Sequence, residues 1–192
     1  MGGQICHPYS SIRSGVMRFL PLEPALEGAF LIEPEPIEDE RGCFARTFCG
    51  KEFQSLGLNS HLEQCSISFN HRKGTLRGMH FQVPPHEEAK LVRCTRGKIY
   101  DVIIDLRQNS PTYRQWTGVI LSADNRSLLY IPEGFAHGFQ TLEEETEVFY
   151  QISHPYVPGS SAGVRWDDPV FGIAWPIEVS VISSKDQEYP LL

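Results

Sequence analysis

The stretch Lys98 to Leu106, KIYDVIIDL, limits the possible folds of this chain more than any other. Tyr100, Val102, Ile104 and Leu106 fall on one side of an extended backbone; Ile99, Asp101, Ile103 and Asp105 fall on the other. Alternation with a period of two predicts a β-strand with one apolar and one mixed face. Leu91 to Cys94 reads as the preceding strand, joined through Thr95-Arg96-Gly97-Lys98, where Gly97 is free to take positive φ in a hairpin turn. Further strands are expected over 118–121, 127–131, 136–142 and 147–152, with turn signals spaced about ten residues apart. Helical signals are weak: two turns over Lys51 to Leu58 and one over Ser183 to Glu188. The pattern predicts an all-β chain, a jelly roll or similar double-sheet barrel. Barrels of this kind hold ligands in the mouth on alternate, inward side chains.

With 192 residues the chain is expected to form one domain: a polar lead-in over residues 1–25, then a single barrel over 26–192. A formal charge of −7 argues against general nucleic-acid binding, which needs a basic face, but leaves room for one small anionic ligand. Five cysteines, Cys6, Cys43, Cys49, Cys65 and Cys94, have no zinc spacing and read as free thiols. The N-terminus lacks a secretory pattern, Cys6 stands where a myristoylation signal needs Ser or Thr, and no apolar run approaches about 20 residues. A cytoplasmic location is therefore expected.

Chemistry concentrates in GTLRGMHFQ, Gly74 to Gln82, which sets Arg77 and His80 among core-like residues. His80 suits a general base, with an ordinary pKa near neutrality. Lys90 shares strand parity with Val92 and Cys94 and suits a fixed cation; Tyr150 suits a weak acid. Each also has a purely structural reading: a satisfied core histidine, a strand-end charge, a packed phenol ring. Arg77 and His80 have opposite parity, so a straight strand separates them. Either Arg77 precedes the strand, or Gly78 permits a bulge that turns it inward.

Pro132-Glu133-Gly134-Phe135-Ala136-His137 resembles the second motif of the cupin jelly rolls, PxGxxH, and Gly74 to Gln82 stands at the place of the first. Metal-binding cupins carry HxH there, whereas this chain reads His80-Phe81-Gln82. An amide oxygen is a poor substitute for imidazole on a transition metal, so neither metal nor cofactor is expected.

A closer resemblance is to the dTDP-4-dehydrorhamnose 3,5-epimerase family. It runs from about Phe30 to Pro190, through DERG, KGTLRGMHFQ, KLVR, DVIIDLR, SPTY, IPEGFAHGF, YQIS, RWDDP, IAWP and SSKD. The resemblance implies a dTDP-4-keto-6-deoxyhexose substrate, epimerised beside its ketone, and a homodimer. It further implies that His80 is the base, Asp186 the carboxylate that orients it, and Tyr150 the acid on the opposite face. Lys90 and His137 then lie near the sugar, Arg77 and Arg41 meet the diphosphate, and Tyr156 lies near the thymine. Gln82, Ser66 and Arg165 join the substrate-binding set through the same motifs. Ser66 stands where relatives commonly carry Asn, Ile37 where many carry Phe, and Arg46 where many are acidic. Those departures bear on the sugar or nucleotide rather than on proton transfer. Mono-epimerisation at C3 or C5 uses the same residues, and a sugar-binding cupin without turnover is the competing reading. An ordinary alternative for Asp186 is to cap the short turn SSKDQEY.

Overall fold

In the computed structural model, which describes residues 16–192, the alternating stretch is a strand of one of two packed sheets. In chain order the strands are β1 (Arg18–Pro21), β2 (Phe30–Glu33), β3 (Ile37–Asp39) and β4 (Gly42–Phe44), followed by helix α1 (Gly50–Ser55). Next come β5 (Gln64–Asn70), β6 (Leu76–Gln82), β7 (Lys90–Arg96), β8 (Lys98–Asp105) and β9 (Trp116–Ser122). The chain continues through β10 (Leu128–Ile131), β11 (Phe135–Thr141), β12 (Thr146–Ile152) and β13 (Ser161–Gly163) to helix α2 (Ser184–Gln187). One antiparallel sheet has the order β1-β2-β10-β7-β12-β5, the other β13-β6-β11-β8-β9, and β3 pairs with β4 as a separate ribbon.

The main core forms where inward residues of both sheets meet. Val92 and Cys94 of β7, Leu129 of β10 and Val148 of β12 pack against Ile99 and Ile103 of β8 and Phe139 of β11. Burial of such side chains stabilises by roughly 1.5–3 kcal/mol each and fixes strand register, since a slip of one residue would turn every apolar group outward. The β7–β8 turn follows the expected design: Gly97 has φ +75°, and a Cβ there would lie 2.5 Å from Thr146 Oγ1.

The apolar face of β8 is the outer face of its sheet. Val102 and Ile104 are covered by Val164 and Phe171, with Trp116 and Trp175 at the margin. A C-terminal segment without regular structure thus seals one sheet. The six-stranded sheet is sealed by Phe53 of α1 and by Met17, packed with Leu91, Leu128 and Tyr130.

Residues 1–15 of the expected lead-in, Cys6 among them, lie outside the described residues. From Arg18 the lead-in is an edge strand: Phe19 pairs with Ile32, and Met17 and Leu22 are buried. Cys43, Cys49, Cys65 and Cys94 are free thiols.

Candidate active site

Strand β6 carries the centre of the site. It pairs with β11 as His80↔His137 and Arg77↔Phe139, so three steps along β6 match two along β11. That bulge resolves the parity conflict in GTLRGMH, since Arg77 and His80 both line one cavity. Gly78 makes it possible. Its φ is +141°, and a Cβ there would lie 2.5 Å from Gly138 Cα on the neighbouring strand.

The cavity has a volume of about 300 Å³. Four strands supply walls to it beside Arg77 and His80 of β6: Ser66 comes from β5, Lys90 from β7, His137 from β11 and Tyr150 from β12. A second lobe of about 230 Å³ shares His80 and Ile152 with it and adds Tyr156, Glu88 and Lys185. His80 also borders a third hollow with Arg77, Lys185 and Asp186. The imidazole sits where all three concavities meet.

His80 Nε2 lies 2.7 Å from Asp186 Oδ1. The carboxylate reaches it because the C-terminal segment docks along the start of β6, with Leu76 N–H donating to Val181 C=O at 2.8 Å. Ser183 then caps α2, its Oγ accepting from Asp186 N–H, and the second carboxylate oxygen accepts from Gly78 N–H at 3.2 Å. Asp186 is therefore not the cap of this turn. Burial on its own raises the Asp186 pKa, but the hydrogen bonds and charge of His80, with the Gly78 and Ser183 contacts, hold it below the usual carboxylate value. An ionised carboxylate only accepts, so His80 Nε2 carries a proton, and in the neutral ring that tautomer leaves the lone pair on Nδ1. The edge of the ring rests near Tyr189, with centroids 5.9 Å apart.

A second histidine–carboxylate pair lies deeper. His137 Nε2 is 2.7 Å from Asp101 Oδ1, and both residues are buried. The Tyr150 ring stands against His137, 6.0 Å between centroids. Burial drives the Tyr150 phenol well above its ordinary pKa, the Asp101 carboxylate adds to this, and the Arg77 cation opposes it. Tyr150 is thus a donor hydroxyl rather than a standing phenolate. Arg77 is fixed by Nε donating to Asn70 Oδ1 at 2.7 Å. Lys90 Nζ donates to the backbone carbonyl of His80 at 3.3 Å and pairs with Glu88 at 3.1 Å.

Other residues expected at the site are arranged differently. Gln82 is buried, and its amide is occupied by the backbone of His86, Pro155 and Val157, which anchors two loops. Arg165 pairs with Asp167 and borders neither lobe. Arg41 pairs with Asp39 on the exposed β3–β4 ribbon, away from both lobes. Tyr156 is 62% exposed and flanks the second lobe.

Asp101, Asn70, Glu88 and Lys185 were not singled out from the sequence. Asp101 had a usable signal, because a carboxylate on the mixed face of a buried strand needs a partner. Among the described residues no group of three His, Cys, Asp or Glu side chains could hold a metal ion.

A model of the dTDP-4-dehydrorhamnose 3,5-epimerase family matches residues 23–192. The dTDP-4-dehydrorhamnose 3,5-epimerase of Methanothermobacter thermautotrophicus is 47% identical over 171 residues, 88% of this chain and 91% of that protein. The crystal structure of the Bacillus anthracis enzyme of that name, with TDP and PPi bound, superposes with a TM-score of 0.87 at 41% identity, covering 92% of this chain and all of that one. A Legionella pneumophila dTDP-6-deoxy-D-glucose-3,5-epimerase, in complex with dTDP-4-keto-L-rhamnose, gives 0.85 at 36% identity, covering 92% and 93%. With the jelly roll, the inward His80 and its carboxylate in place, this chain belongs to the dTDP-4-dehydrorhamnose 3,5-epimerase family.

Proposed function

We propose that the protein epimerises a dTDP-4-keto-6-deoxyhexose by removing a proton from a carbon beside the C4 ketone and returning one to the opposite face. The observation that carries this is the His80–Asp186 contact in a cavity also lined by Tyr150 and Lys90. His80 Nδ1 takes the proton, and the electron pair of the broken C–H bond moves onto the ketone oxygen as an enolate. The Lys90 ammonium stabilises that oxygen by charge and hydrogen bonding, which is worth most in a cavity that excludes water. Asp186 steadies the imidazolium that forms. Tyr150 then gives its hydroxyl proton to the same carbon from the other side, completing the inversion.

The remaining groups bind. Arg77 and Lys185, which share the hollow beside His80, meet the diphosphate, and Tyr156 meets the thymine. His137 and Ser66, which line the cavity, complete the binding set, and Gln82 holds the loops around the second lobe; Arg41 and Arg165, outside both lobes, are given no contact in this reading. Turnover without a metal, a homodimer and a cytoplasmic location belong to the same reading. A dimer is supported by β5, an edge strand with Ile67 65% exposed, and by Phe44, 74% exposed, since unpaired edges and apolar surface favour association. No helix of the described residues is long and apolar enough to cross a membrane.

The test is incubation with dTDP-4-keto-6-deoxyglucose in D₂O after exhaustive chelation, reading deuterium at C3 and C5 by NMR. Exchange is expected in the chelated protein, at C3, at C5 or at both, and the pattern assigns the specificity. In Tyr150→Phe, exchange is expected to outlast inversion, because proton removal survives while the opposite donor is gone. Absence of exchange at both carbons in the unaltered protein would sink the reading.

A further inference from the structure

Glu88 has no part in the steps above, yet it is built into the site. Its side chain is 7% exposed, and Oε1 lies 3.1 Å from Lys90 Nζ, on a side chain itself 11% exposed. Its other oxygen, Oε2, is buried without a donor among the described residues. Glu88 stands two residues before Lys90, and on an extended backbone that spacing places both side chains on one face.

An ammonium has three protons to donate. Lys90 directs one to Glu88 and a second to the His80 carbonyl, leaving a third for the cavity that it lines. The other groups around that cavity do not offer a competing anion. Arg77, His80, His137 and Tyr150 are cationic or neutral, and the Asp101 carboxylate is engaged by His137. On the outer side the strand is flanked by His61, and the cross-strand neighbours of Lys90 are Ile131 and Ile152.

We infer that Glu88 is a positioning residue, which tethers Lys90 so that its free N–H faces the developing enolate oxygen. This rests on the epimerase reading, because a carbon acid beside a ketone is what requires a cation at that point. The tether to His80 C=O also ties the cation to the residue bearing the base, so their separation is set within the protein before substrate enters.

The experiment compares Glu88→Ala, Glu88→Gln, Lys90→Met and the Glu88→Ala/Lys90→Met double variant in the deuterium assay. Glu88→Ala is expected to lower kcat about tenfold with little change in KM, less than the roughly 10²–10³-fold loss typical when a stabilising donor itself is removed. The double variant should match Lys90→Met, since Glu88 acts through Lys90. Independent, additive losses would overturn the inference. A second readout needs no substrate: the ¹⁵N–¹H signal of the Lys90 ammonium at neutral pH. It should be sharp in the unaltered protein and broadened by solvent exchange in Glu88→Ala and, to a lesser degree, in Glu88→Gln, which keeps the shape and a neutral acceptor. An ammonium signal unchanged by both substitutions would refute the tether. If the unaltered protein exchanges no substrate deuterium, the epimerase reading fails, while this spectrum still decides the role of Glu88.

Discussion

His80 and His137 are cross-strand partners, and each has a carboxylate oxygen 2.7 Å from Nε2. The two pairs are nevertheless built in different ways. Asp101 reaches His137 from the adjoining strand β8, so its position is set by the same ladder that closes the barrel, and both side chains are at most 5% exposed. Asp186 comes from 106 residues away, on a one-turn helix at the end of a docked tail, and His80 remains 39% exposed toward the cavity. The first pair is framework that also borders the site. The second keeps its imidazole open to the cavity, where it can work. Equal distances therefore do not imply equal roles; what differs is access to solvent and substrate.

The largest effect expected from this difference is in catalysis. His80→Ala should lower deuterium exchange at the reacting carbons by about 10³-fold, within the range for a positioned base. His137→Ala, compared per folded molecule, should lose much less. Equal losses would remove the distinction between the pairs.

Next is stability. Asp101→Ala leaves a buried imidazole without its partner and should cost about 3 kcal/mol in urea unfolding, as when a buried pair is broken. A protein as stable as the original would show that the deep pair is not framework.

A smaller effect separates the two carboxylates. Asp186→Asn should keep the fold and substrate binding but lower turnover at least about tenfold, near the low end of acid–base contributions. A lower melting temperature with turnover per folded molecule unchanged would make Asp186 structural as well.

The smallest effect is on acid stability. The Asp186 pKa is lowered in the folded protein, so its contribution is present above the ordinary carboxylate value of 3.8 and is lost as pH falls through the folded value. Unfolding free energy should therefore fall below about pH 4, and less steeply in Asp186→Asn. Identical slopes in the two proteins, measured by urea titration across that range, would contradict this origin.

Much of the architecture is legible in short-range pattern. The alternation in KIYDVIIDL, the Gly97 turn and the runs that became β9 to β12 fall within a residue or two of the observed strands, because a pleated backbone repeats every two residues. The helical signals over Lys51 to Leu58 and Ser183 to Glu188 became α1 and α2. Pattern could not say which face of β8 looks inward. Both faces are buried, and the more apolar one is covered by a tail with little regular structure.

By itself the sequence determined β7 to β12, the parity that groups Lys90 with Val92 and Cys94, and the motif order that marks the family. Only the tertiary structure decided that Arg77 joins His80 through the Gly78 bulge, that Gln82 anchors loops, and that Glu88 meets Lys90. It also brought Asp101 to His137 and Asp186 to His80. The physical reason is range. Alternation is a property of neighbouring peptide units, whereas a carboxylate's partner depends on where distant strands and a C-terminal tail come to rest when the core packs.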